Sequence, residues 1–170
     1  MMQESHIASA FDRDIETIQA LIMKMGGLVE ENILNAALSL EKRDDELAEQ
    51  VRKRDNAIDD LEEQVNEEAA RLIALRQPTA VDLRLVLAVM KIAGNLERIG
   101  DYAKNMAKRT SILSQMGQIN GAANSLRRMN REVHDMLRDV LDAFVQRDER
   151  LAREEIQRDA DVDQMYNALF

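Results

Sequence analysis

A chain of 170 residues with 45% hydrophobic content can bury a core as one domain or as an elongated array of helices. Six Gly, one Pro, 3% aromatic and 32% charged residues describe an all-helical protein, because sheets want more aromatic and turn residues. The net charge of -9, with no dense Lys/Arg run, excludes nucleic-acid binding as the main activity, and the absence of Cys excludes disulfides, thiolate zinc sites and Cys nucleophiles.

Phe11, Ile15, Ile18, Ile22, Met25, Val29, Ile33, Ala36 and Leu40 recur in steps of three or four, which predicts a first helix from about His6 to Lys42. Gly26-Gly27 in its middle marks a bend or a close helix contact. At Arg43-Asp44-Asp45 the pattern breaks and acids gather, as the positive end of a new helix favours. Leu47, Val51, Ile58, Leu61, Val65, Ala69, Leu72 and Leu75 then carry a second helix to the break at Pro78. Asp55, Asp59 and Glu62 lie along one edge of that stripe and lean toward a neighbouring helix.

Pro78 pushes Gln77 out of the α region, and Thr79 with Asp82 reads as a capping box opening a third helix. Leu85, Val89, Ile92, Leu96, Ile99, Ala103 and Met106 form one apolar stripe on it, and Leu83, Leu87, Met90 and Gly94 a second. Polar residues (Arg84, Lys91, Asn95, Arg98, Tyr102, Arg109) keep to one narrow band, which predicts an inner helix covered on most sides. Glu97 and Asp101 continue the second stripe, one turn apart, and a buried like-charge pair needs a compensating cation: a metal ion, or a Lys or Arg from a neighbour. Hard cations suit such an all-carboxylate set.

Ser114 to Ser125 is rich in Gly, Ser, Asn and Gln and uncharged, a connector. Leu126, Met129, Val133, Leu137, Val140 and Phe144 predict a fourth helix, and Leu151, Val162, Met165 and Leu169 a less regular fifth. An ungapped shift of about 104 residues places Met129 on Met25, Val133 on Val29, Asp148 on Asp44, Leu151 on Leu47, Arg158 on Arg54, Asp159 on Asp55 and Asp163 on Asp59. The chain is therefore expected to hold a first three-helix repeat over 6–113, a connector over 114–125 and a partial second repeat over 126–170. Counterparts of Glu97 and Asp101 fall beyond Phe170, so the second bundle is expected to be open, and association into a homodimer is one way to cover it.

The stretch NLERIGDYAKNMAKR from Asn95 to Arg109 and the entry RQPTAVDLR from Arg76 to Arg84 resemble the PhoU family, accessory regulators of phosphate-specific transport. The resemblance extends over the whole chain and implies tandem three-helix bundles whose E/D-x-x-x-D carboxylates bind iron, zinc, manganese or magnesium. Matched position by position, it makes Glu97 and Asp101 the metal ligands and Asp55, Asp59 and Glu62 secondary candidates. It further implies negative regulation of phosphate uptake and of the starvation response, exerted by linking the phosphate ABC transporter to a sensor histidine kinase.

No nucleophile, general base or pocket signal accompanies the acids, so no catalytic residue and no enzyme activity are expected. His6 and His134 stand apart, and the Glu-x-x-His pattern of di-iron bundles is absent, with Arg131 three before His134. The alternative is a metal-free helical adaptor whose acidic face binds a basic protein. Neither a signal peptide nor an apolar run near roughly eighteen residues is found, so a cytoplasmic protein is expected, peripheral to the membrane only through its partners.

Overall fold

Among the described residues five helices follow one another in the order α1 (Met2–Lys42), α2 (Asp45–Arg76), α3 (Ala80–Leu113), α4 (Ala122–Gln146) and α5 (Glu149–Asn167). The structure is a computed structural model and describes residues 2–113, 115 and 122–168, with the side chains of 2–9 and of 122–123 left undescribed. Most of the expected connector, Leu169 and the side chain of His6 lie outside the described residues.

The first three helices run up, down and up around one core. Arg76 of α2 meets Asp14 of α1 at one end, and Ser39 of α1 meets Thr110 of α3 at the other (Oγ–Oγ1 3.1 Å). Ile18, Ile22, Met25 and Val29 of α1 bury completely against Ile58 and Val65 of α2 and Val86, Val89 and Ala93 of α3. At roughly 25 cal/mol per Å² of apolar surface, such fully buried side chains contribute about 2 kcal/mol each before entropy is counted.

The predicted inner helix is not inner. The buried line of α3 is Val86, Val89, Ala93, Leu96, Gly100, Ala103, Ala107 and Thr110. Leu85, Ile92, Ile99 and Met106 sit on its shoulder, half-covered, and Leu87 stands 51% exposed. Among the described residues only α1 and α2 pack against α3, so a single face suffices. The small residues Ala93, Gly100 and Ala107 occupy the closest approach, where bulk would hold the helices apart, and they carry too little hydrophobicity to mark the line in sequence.

The α1–α2 and α4–α5 turns are duplicates. Arg43 (φ 56°) and Arg147 (φ 54°) take the left-handed conformation that ends a helix, and Asp44 and Asp148 then cap the next one. Their carboxylates accept from the backbone N–H of Leu47 (2.9 Å) and Leu151 (3.0 Å), satisfying amides that would otherwise lack partners. At the third turn Gln77 (φ 47°) ends α2, its N–H donating to the Ile73 carbonyl. The Thr79 carbonyl, rather than its side chain, receives the first amides of α3, from Asp82 and Leu83, so the expected capping box does not form among the described residues.

α4 lies antiparallel on α1, and α5 antiparallel on α4. Gly26 marks a close contact and not a bend, because a Cβ at that position would come within 2.5 Å of Leu141 Cδ1 on α4. Arg127 pairs with Glu41, and His134 Nε2 faces Glu30 at 3.6 Å, along the same α1–α4 seam. α5 is tied down by Arg158, which donates to Glu132 and Asp139 of α4 and to the buried Glu155 of its own helix. These acids favour the charged guanidinium, Glu132 first, and hold its pKa above the ordinary value. No helix of the described residues is long and apolar enough to cross a membrane.

Candidate metal centre between α2 and α3

The antiparallel pairing of α2 with α3 brings all the sequence-predicted acids to one seam. Asp55 occupies a core position of α2, between Val51 and Ile58, and is 1% exposed. Gly100 of α3 lies opposite: a Cβ there would stand 3.1 Å from Ile58 Cδ1 and 3.6 Å from Asp55 Oδ1, so this glycine lets α3 close tightly on Ile58, beside the carboxylate. Gly94 has open space around it and is not a packing position.

Lys104, one turn beyond Asp101 on α3, reaches back between the helices. Its Nζ donates to Asp55 Oδ2 and, at 2.8 Å, to Asp101 Oδ1. Both bonds, that to Asp101 foremost, raise the lysine pKa above its ordinary value and keep it charged. The expected compensating cation is thus present as a side chain of α3 itself. The clue in the sequence is the i, i+3 spacing of Asp101 and Lys104, which places the amine beside the acid on one face.

The remaining acids ring this pair. Glu97 is pushed above the usual carboxylate range, by desolvation first and then by Asp101, Asp59, Glu62 and Asp55. Asp59 is raised likewise, by desolvation, then Asp55, with Lys104 opposing. Glu62 faces the seam from its edge and accepts from Asn66 of its own helix at 2.6 Å. Buried Asp55, a secondary candidate from sequence, is therefore the most enclosed acid of the set, while Glu97 takes no part in the lysine bonds.

The chemistry of the donor set fits a hard cation. Asp55 Oδ1 is fully buried and has no hydrogen-bond partner, leaving a lone pair aimed into the seam that a second cation would satisfy. As the side chains stand, among the described residues no three Asp, Glu or His side chains converge as a ligand set, because Lys104 occupies the centre.

The PhoU domain model matches residues 22–110 and 126–170. The chain belongs to the PhoU family. A phosphate-specific transport system accessory protein PhoU homolog of Zymomonas mobilis is 44% identical over 97% of this chain and 69% of its own length, and one of Caulobacter vibrioides is 38% identical over 97% and 72%. The crystal structure of PhoU from Pseudomonas aeruginosa superimposes with a TM-score of 0.89 at 36% identity, covering 94% of this chain and 76% of that one. That of the phosphate transport system regulatory protein PhoU from Streptococcus pneumoniae gives 0.84 at 32% identity, covering 94% and 74%. The PhoU fold of this chain is all-α, among the described residues a three-helix bundle followed by the helix pair α4–α5.

Proposed function

We propose that this protein regulates phosphate uptake as a non-enzymatic, cytoplasmic PhoU protein, damping transport and the starvation response by linking the phosphate ABC transporter to a sensor histidine kinase. Its relatives' role in phosphate-specific transport supports the transporter half of that reading. In the same reading residues 6–113 and 126–170 act as a whole and a partial repeat, and the protein works as a homodimer, reaching the membrane through its partners alone.

The α2–α3 seam is the proposed regulatory site, and one observation carries it: a carboxylate at a core position, Asp55, with one oxygen on Lys104 and the other on nothing. Asp55, Asp59, Glu97 and Asp101 would hold iron, zinc, manganese or magnesium, with Glu62 at the margin. The bound ion supplies concentrated positive charge where Lys104 now supplies one unit. The chain's own part is to present these acids from two helices and to release Lys104, exposing a cation on the surface of α3.

Elemental analysis of protein purified without chelator, beside the Glu97→Ala/Asp101→Ala variant, tests this. Metal in the parent and none in a folded variant is the expected result. A second reading, the metal-free adaptor, is favoured by Lys104 already bridging Asp55 and Asp101 at the centre of the seam. It is selected if neither protein carries metal and if Glu97→Gln/Asp101→Asn weakens a partner complex that chelator leaves intact.

A further inference from the structure

The polar band of α3 has no role in the carboxylate seam, yet its charge is opposite in sign to that of the whole chain. In a chain of net charge -9, α3 carries six basic residues and three acids, and none of those acids lies between Leu83 and Leu96 or beyond Asp101. Arg84, Lys91, Arg98 and Arg109 all point away from the core, on the side opposite Ala93 and Gly100. Among the described residues none of the four has an ion-pair partner; Arg98 donates only to the Tyr102 hydroxyl, at 3.3 Å. Several arginines on the other helices are matched to acids, as Arg54 is to Glu31, Arg76 to Asp14 and Arg127 to Glu41.

Apolar surface is interleaved with this charge. Leu87 is 51% and Tyr102 62% exposed on the same face, and α4 and α5, which pack on α1 and on each other, leave it clear among the described residues. The stripe is one helix wide and, from Arg84 to Arg109, about 37 Å long. Arg84, Lys91 and Arg98 are spaced by seven residues, the period at which two helices crossing at a shallow angle meet.

We propose that this face docks an acidic, amphipathic helix of a partner protein. Glutamates repeated every seven residues on that helix meet the three bases in register, and its apolar residues cover Leu87 and Tyr102. Width argues against a membrane: Glu97 and Asp101 flank the stripe and exposed Asp59, Asp60 and Glu63 of α2 lie beyond them, so an anionic plane meets acids where a single helix meets only bases. The inference stands independently of whether the α2–α3 seam takes a metal.

The test uses a labelled synthetic helix of about 25 residues with Glu at seven-residue spacing and one Leu per turn. It is titrated against the full chain by fluorescence anisotropy, beside a scrambled peptide of identical composition. The patterned peptide should bind at least about tenfold more tightly than the scrambled one, weaken with added salt, and lose about tenfold or more with Arg84→Glu/Lys91→Glu/Arg98→Glu. Circular dichroism of that variant, and the milder Lys91→Ala/Arg98→Ala, guard against a folding effect. Equal binding of the two peptides, or no loss on charge reversal, overturns the proposal. So does preferential capture of phosphatidylglycerol vesicles through these bases, or a parent chain whose self-association the reversal abolishes.

Discussion

The helix pairs α1–α2 and α4–α5 share the same turn and sit in different environments. Ile22, Met25, Val29 and Ala36 of α1 are fully buried, whereas their counterparts Leu126 and Val140 of α4 are 43% and 44% exposed and Met129 and Val133 only half-covered. Asp55 is enclosed beneath α3, while its counterpart Asp159 on α5 faces solvent. Among the described residues α1 is packed by α2, α3 and α4, whereas α4 has only α1 and α5. The same local sequence pattern thus yields a core acid in one unit and a surface acid in the other, and the deciding factor is whether a third helix covers the pair.

The largest effect is expected from removing Lys104, the cation beneath which Asp55 is buried in the first unit. Lys104→Met leaves Asp55 buried and uncompensated, and urea unfolding should show a loss of about 3–5 kcal/mol, partly recovered by added divalent cation if the seam takes a metal. Arg158→Met is the matching change in the second unit. It should cost about 1.5–3 kcal/mol because Glu155 is stranded, and hydrogen exchange should quicken in α5 and spare α2.

Asp44→Ala and Asp148→Ala test the shared part. Each removes one cap of nearly identical geometry and should cost about 1 kcal/mol, seen as a lower global unfolding midpoint for the first and as local fraying of α5 for the second.

The smallest effect is electrostatic. Because the Glu97 and Asp59 pKa values are raised on folding, the native state binds more protons than the unfolded one just above the ordinary carboxylate range, and these two groups destabilise it at neutral pH. Glu97→Gln should therefore raise the thermal midpoint slightly at neutral pH, with the gain disappearing as pH falls to about 4, near the ordinary carboxylate value.

Helix order and the acid seam were legible in the sequence because each rests on local signals: Asp44 and Asp148 at the turns, Pro78 after α2, and acids at helical spacing. Rotation of α3 was not. Its buried line runs through Ala93, Gly100 and Ala107, and packing selects small residues that a hydrophobic count passes over. Lys104 is hard to single out in the sequence because it lies on the same helix as Asp101, among the other bases of α3. Glu155 was missed because a glutamate among charged residues reads as surface, and only its three-residue spacing to Arg158 hinted at a buried pair.

One consequence of the close contact at Gly26 concerns communication through the molecule. Among the described residues α4 and α5 touch neither α2 nor α3, so α1 is the single mechanical link between the acid seam and the second unit. Arg54, next to Asp55, holds Glu31 of α1 at 2.5 Å, and the adjacent Glu30 faces His134 of α4. A shift of α2 at the seam therefore has one short route to α4, across the width of a single helix, and a side chain at position 26 would have to displace Leu141 of α4 on that route.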